Sequence, residues 1–458
     1  VRVASLWLCL MLLSSMAGQP VLAAPDEGRL VLYLVRQDGG SAGVELQLAG
    51  FTLVGSSSKF EIPLETTTWR SDASTPAVSR IAEIEVPAGS YLGFHPRFSS
   101  VTAPIGVAPV HPTPPDSLVL PASVGIDEGQ TSLWVIDWTP RAVENHDQPY
   151  DPGLSARQPS LPPPGGAILV SNEESGSVTL LDRQNLLPRG EIGVGAGARG
   201  MAWSRIRQRL YVALASEGAV AVIDLVTHRR EQKAVLSAGD EPSRLWMDEE
   251  GSRLFVLNVG SSSVSILDAG FLQEVDRFLV EPEPVAFAYD RLREQVYVSS
   301  RTRDAVIVYD LGGDHPARRW TVDGGAGELL LSPELDRLFV ASVRQRKILV
   351  LDTANGAVVT KIDLCSSAKG LALAPLGLEV VASAARCRRI SFVIVDGGME
   401  TEQVRLPFSP GLMTVDPSSS RIFAVMSEGN GLAVVSTQSR ELVDWVPVGR
   451  RPYAVLTP

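Results

Sequence analysis

A repeat sets the strongest limit on how this chain folds. Seven segments of the C-terminal two-thirds open alike: Ala-Ile-Leu-Val at 167–170, Arg-Leu-Tyr-Val at 209–212, Arg-Leu-Phe-Val at 253–256, Gln-Val-Tyr-Val at 295–298, Arg-Leu-Phe-Val at 337–340, Glu-Val-Val-Ala at 379–382 and Arg-Ile-Phe-Ala at 421–424. Their second residues stand at 168, 210, 254, 296, 338, 380 and 422, in steps of 42, 44, 42, 42, 42 and 42. A unit of this size cannot bury its own apolar face, but neighbouring units can bury one another's. A period near 42 built from strands fits four strands per blade and predicts a seven-bladed β-propeller over 166–458.

The units dissect further. After the opening strand and a turn comes a second apolar strand, which ends at Asp182, Asp224, Asp268, Asp310, Asp352 and Asp396, with Ser436 in the seventh copy. Apolar runs such as Val-Ala-Val-Ile at 220–223 suit strands covered on both faces. A terminal Asp accepts hydrogen bonds from the amides of the turn ahead, and that role explains its recurrence better than catalysis does. A third strand follows, as at 358–364, then a Gly- or Pro-containing corner and a fourth strand, as at 201–203 or 453–456. The last fourth strand has no opening strand after it, and the opening strand at 167 has no fourth strand before it. The ring is therefore predicted to close by pairing the C-terminal strand with the first blade, which removes the free edges.

The rest of the chain reads differently. Residues 1–24 carry Arg2, a short apolar run at 6–13 and small residues at Ala23 and Ala24, the pattern of a cleaved secretory signal. The apolar run is too short to span a bilayer, and no later segment is long and apolar enough, so no transmembrane segment is expected in the mature chain. Stretches at 30–35, 44–48, 81–86 and 132–137 read as half-buried alternating strands and predict a β-sandwich-like domain over 27–143. Residues 144–165 are proline-rich and read as a semi-rigid linker. The fold class is thus all-β. A hydrophobic content of 45% suffices for buried cores, and a net charge of −11 with no basic tail argues against nucleic acid as a partner.

The repeats resemble the YVTN-type β-propeller repeats of exported bacterial and archaeal proteins. Ser-Pro-Glu-Leu-Asp-Arg-Leu-Phe-Val at 332–340 and Asp-Pro-Ser-Ser-Ser-Arg-Ile-Phe-Ala at 416–424 carry the likeness most clearly, and the sixth copy departs most, lacking the aromatic at 379–382. The resemblance implies a propeller and export to the periplasm or cell surface. Propellers host many activities, so it implies no reaction. More distantly, 86–92 and 129–137 look like a β-rich domain of unknown function found in bacterial surface proteins.

In a four-stranded blade, the interblade corners and the turns after the opening strands share one face with the channel mouth, a usual ligand site. Those turns are sorted by charge. Blades four to six carry Arg301 and Arg303, then Arg344, Arg346 and Lys347, then Arg386, Arg388 and Arg389; blades seven, one and two carry Glu428, Glu173, Glu174 and Glu217. The basic side is expected to dock an anionic protein or glycan of the cell envelope. The corners place Arg199, Arg244, Glu328 and Lys369 at the mouth as a candidate small-molecule site. Cys365 and Cys387 fall on the same face and are expected to form a disulfide.

Enzyme signatures are sparse. The sequence has no Cys-x-x-Cys-His, Gly-x-Ser-x-Gly or His-Glu-x-x-His motif. Two cysteines without a nearby His make a poor metal site, and no cofactor is implied. Of the five histidines, His95, His111 and His146 precede the repeats, and His228 and His315 fall on the face opposite the mouth. The leading expectation is a non-enzymatic exported binding or scaffold protein. The alternative is a periplasmic lactonase-type hydrolase that uses the corner residues, and it predicts their convergence in a deep pocket.

Overall fold

The repeated strands assemble into seven four-stranded antiparallel sheets, the blades of a propeller. The computed structural model describes residues 27–458 apart from 41–42, 73–75, 106–107, 111–112, 116, 144–149, 313–316, 375–376, 396, 417 and 419. The expected signal at 1–24 lies outside the described residues, as do Asp396, His111, His146 and His315. Blades two to seven each run in chain order from the inner to the outer strand. Blade two, for example, comprises Ala198–Ser204, Arg209–Leu214, Ala219–Asp224 and Arg229–Val235. The predicted opening strands are thus the second strands of the blades.

Blade one is composite. Its inner strand, Pro452–Leu456, comes from the C-terminus and pairs antiparallel with Ala167–Asn172, with Leu169 opposite Leu456. Ion pairs clamp this closure on both faces. On the lower face, Arg183 of blade one grips the buried Asp416 of blade seven through two bonds, one of them 2.8 Å from Nε. On the upper face, Arg451 meets Glu173 at 3.3 Å and Arg450 meets Glu174 at 3.6 Å.

Four of the strand-end Asp residues, Asp182, Asp224, Asp268 and Asp352, hold their turns by accepting amides as expected. Asp224 Oδ1 accepts the amides of Val226 and Thr227 at 2.6 and 3.0 Å, and Asp268 Oδ1 accepts those of Gly270 and Phe271 at 2.8 Å. These amide bonds hold both carboxyls below the usual range. Where the seventh copy has Ser436, its hydroxyl accepts the amides of Gln438 and Ser439 at 3.2 and 3.0 Å. The inner strands of blades one to six carry a register irregularity, and a buried serine on the second strand binds an amide beside it in blades one, four and six: Ser171 binds Ala454 N, Ser299 binds Ala286 N and Ser383 binds Gly370 N.

The N-terminal region is a two-sheet sandwich. Its strands are β1 (Glu27–Arg36), β2 (Glu45–Gly55), β3 (Lys59–Ile62), β4 (Thr68–Arg70), β5 (Val78–Pro87), β6 (Gly89–Ile105), β7 (Ala108–Val110), β8 (Leu120–Ile126), β9 (Thr131–Trp138) and β10 (Leu154–Arg157). One sheet runs β10-β9-β1-β5; the other runs β3-β2-β6-β7, with β4 on β2 and β8 on β6. Leu46, Phe51, Trp69, Phe94, Trp134 and Trp138 fill the core between the sheets.

Two sequence expectations need correcting here. The run at 30–35 is buried at every position instead of alternating, because β1 lies centrally and its sheet is covered on both faces. Leu30, Leu32 and Leu34 enter the sandwich core, while Val31, Tyr33 and Val35 pack on the opposite side with Leu187 of blade one. The expected spacer at 144–165 is not uniformly a spacer. Tyr150 joins the sandwich core, and residues 154–157 pair with β9, with Leu154 opposite Trp138. Apart from Pro152 and Pro159, residues 151–161 are proline-free, so the backbone donors needed for pairing are present.

An ionic cluster sits where the sandwich meets blades one and seven. Arg80 of β5 binds Glu191 on the outer strand of blade one at 2.9 Å, Glu83 at 3.2 Å and the Val448 carbonyl at 3.3 Å. Glu83 accepts the Ser175 hydroxyl at 2.9 Å and lies 3.4 Å from Arg29 and 3.6 Å from Arg450. Glu191 also accepts the Ser177 hydroxyl at 2.7 Å. Each buried carboxylate thus meets both a cation and a hydroxyl donor, the condition for tolerating charge in an interior.

Candidate functional site

The channel mouth is built by the first residues of the inner strands. These strands begin opposite the last residue of the second strand: Ala198 faces Leu214, Pro242 faces Asn258, Pro284 faces Ser300, Ala326 faces Ser342, Ala368 faces Ala384 and Pro452 pairs with Asn172. Two residues further on stand Gly200, Arg244, Ala286, Glu328, Gly370 and Ala454, and Leu412 holds the same place in blade seven. Two charges of opposite sign therefore stand in a ring of uncharged residues. At Gly200 any side chain would meet the Arg244 backbone within 2.8 Å, so close approach of neighbouring inner strands requires glycine there.

Arg244 and Glu328 find each other. The Nη2 of Arg244 donates to Oε2 of Glu328 at 2.6 Å, with side chains only 18% and 13% exposed. Burial pushes the Glu328 carboxyl up despite the facing Arg244. Burial opposes the charge on Arg244, but the attraction of Glu328 outweighs it and holds the guanidinium ionised. Arg244 and Arg199 both lie over the Tyr453 ring, at 5.8 and 5.7 Å from its centre. Arg199 is in turn bound to Glu173 at 2.8 Å, and Lys369 is exposed. The four corner residues do not converge on one pocket. Two neutralise each other inside the channel, one is tied to a blade-one turn and one faces solvent. The one carboxylate among these four, Glu328, is paired with a cation.

The outer part of the upper face also differs from simple charge sorting. Its acidic half is largely consumed: Glu173 and Glu174 pair with Arg199, Arg450 and Arg451, and Glu217 binds Lys233 at 2.7 Å, while Glu428 is exposed. On the basic half, Arg303 pairs with Glu281 at 3.3 Å, Lys347 with Asp363 at 3.2 Å, Arg344 with Asp304, and Arg389 donates to Gln403. Arg301, Arg346, Arg386 and Arg388 are exposed, and none has an acidic partner among the described residues. Arg388 donates only to the Pro407 carbonyl, at 3.4 Å. These four side chains span blades four to six, away from the sandwich on blades seven and one.

The disulfide is present. Cys365 lies in the corner entering blade six, Cys387 in the turn after its second strand, and their Cα atoms are 6.3 Å apart. It pins the corner to the turn that carries Arg386 and Arg388. Among the described residues no group of His, Cys, Asp and Glu is arranged to hold a metal. His95 contacts the Leu118 carbonyl at 2.6 Å, and His228 contacts the linker carbonyl of Pro162 at 3.1 Å.

No family model and no curated protein matches the chain. Among solved structures it is similar to hydrazine synthase of Kuenenia stuttgartiensis, with a TM-score of 0.55, 16% identity, and coverage of 61% of this chain and 94% of that one. It is also similar to a chain of the mitotic checkpoint complex, with a TM-score of 0.50, 16% identity, and coverage of 56% and 79%. At this identity the likeness shows the seven-bladed propeller fold alone.

Proposed function

We propose that the chain is an exported, YVTN-type propeller scaffold without enzymatic activity, whose upper face on blades four to six docks an anionic partner of the cell envelope. The observation that carries this reading is the set of exposed arginines at 301, 346, 386 and 388, which have no acidic partner among the described residues while most of their neighbours do. Unpaired cations clustered on one rigid face raise the local potential for an anion. A disulfide that stiffens the blade-six turn favours both a pre-organised surface and an oxidising compartment. The mutual neutralisation of Arg244 and Glu328 weighs against a lactonase-type hydrolase at the mouth.

The test is retention of the full chain on cell-envelope extract with Arg346, Arg386 and Arg388 all changed to Glu. Retention should fall at least about tenfold, as expected when several rim charges are reversed, and wild-type retention should weaken with added salt. Retention that is unchanged by the triple reversal, and insensitive to salt, refutes this docking face.

A further inference from the structure

The lower face holds a cavity of about 720 Å³ that the upper-face reading does not use. Three separate parts of the chain build it: the linker just before blade one, the turn between the third and outer strands of blade one, and the start of the second strand of blade seven. Its walls differ in chemistry. Leu161, Pro162 and Pro163 form an apolar side, with Leu161 still 48% exposed after packing on Gly190. Arg183, Arg189 and Arg421 supply the polar side.

The charges in this pocket do not balance. Arg183 is matched by the buried Asp416, and it also donates to the Gly165 carbonyl at 3.2 Å, which fixes the linker over the pocket. Arg189 is matched by Asp182 at 2.9 Å. Arg421 donates to the carbonyls of Arg183 and Gln184 at 3.4 and 3.3 Å, and among the described residues it has no ion-pair partner. Asp444 acts on it only through space. One guanidinium, held in place by backbone carbonyls and without a direct ion pair among the described residues, therefore brings positive charge into a cavity with an apolar wall. The planar fork of Arg suits a carboxylate, and a concave pocket that sets an apolar wall beside convergent polar groups is a form small-molecule sites take.

We propose that this pocket binds a small organic anion, a carboxylate on an apolar body, with the carboxylate on Arg421 and the body against Leu161 and the two prolines. The test is calorimetric titration of the full chain with benzoate, and with benzylamine as the cation of similar shape. Benzoate should bind saturably and benzylamine should not. Arg421→Gln should weaken benzoate by about tenfold or more, the usual effect of deleting one charge-assisted contact. Gly165→Leu provides a second variant that removes no contact. Gly165 lines the pocket and a Cβ there meets no protein atom within 4 Å, so a leucine is expected to encroach on the cavity without displacing protein atoms. It should also weaken benzoate about tenfold, whereas Lys59→Glu, exposed on β3 of the sandwich, should leave binding unchanged. The proposal is overturned if benzoate does not saturate, if benzylamine binds as well, or if Gly165→Leu binds benzoate like the wild type. If Arg421→Gln does not fold, Gly165→Leu alone decides.

Discussion

Replacing Glu191 with Ala tests how the two domains are held together. Glu191 is wholly buried, and Arg80 is 4% exposed at its side chain, so deletion of the carboxylate strands a guanidinium that water cannot reach. Breaking a buried pair by removing one partner costs about 3–5 kcal/mol. Arg80 keeps Glu83 at 3.2 Å, so the lower end, about 3 kcal/mol, is the appropriate figure. The Ser177 hydroxyl also loses its acceptor, which adds to the loss. Glu191→Gln keeps an oxygen for both donors and should lose less. The double variant Arg80→Met, Glu191→Met removes both charges and should recover most of the loss, because a buried pair replaced by apolar groups is often near neutral. Urea unfolding of the full chain, followed by intrinsic fluorescence, gives the free energies, and limited proteolysis at 150–165 reports undocking of the sandwich. A loss under about 0.5 kcal/mol for Glu191→Ala, or a double variant no more stable than the single, would refute the claim that this pair is structurally decisive.

Two further outcomes are expected. Cys365→Ser should lower stability by about 3 kcal/mol, since the cross-link spans a sequence separation of 22 residues, and mild reduction of the wild type should match it in a thermal melt. Asp224→Ala and Asp268→Ala should each cost up to about 1 kcal/mol at neutral pH. Their folded carboxyl pKa values lie below the unfolded value, so the benefit is present above about pH 4 and fades as pH falls through the folded pKa; wild type and variants should converge in acid melts.

The propeller was legible because its evidence is periodic. Seven second strands at near-constant spacing, strand-end Asp residues with a chemically equivalent Ser436, and mismatched chain ends each point to a closed ring. The sandwich was legible as strands but not in its burial. At 30–35 the sequence shows an unbroken apolar run, which signals a strand covered on both faces; reading it as alternating missed the contact with blade one. The corner residues were found as types but not as partners. Nothing in the spacing of residues 244 and 328 says that these two side chains, with a whole blade between them, reach each other.

Glu191 shows where a further signal lay. On the outer strands, the positions that pair with the middle of the third strand are Glu191, Lys233, Arg277, Arg319, Lys361, Gln403 and Trp445. Blades two to five put a cation there, and most of these side chains reach solvent or a neighbouring turn. Blade one alone puts an acid there, and it is the acid that Arg80 of the sandwich binds. A repeat predicts what each blade must do to remain a blade, and departures from it mark where a blade does something else. The same reasoning applies to Arg244 and Glu328 among the uncharged inner-ring residues and to the arginines of blades four to six. In a propeller whose neighbours share only the fold, such departures are the first positions at which to test for function.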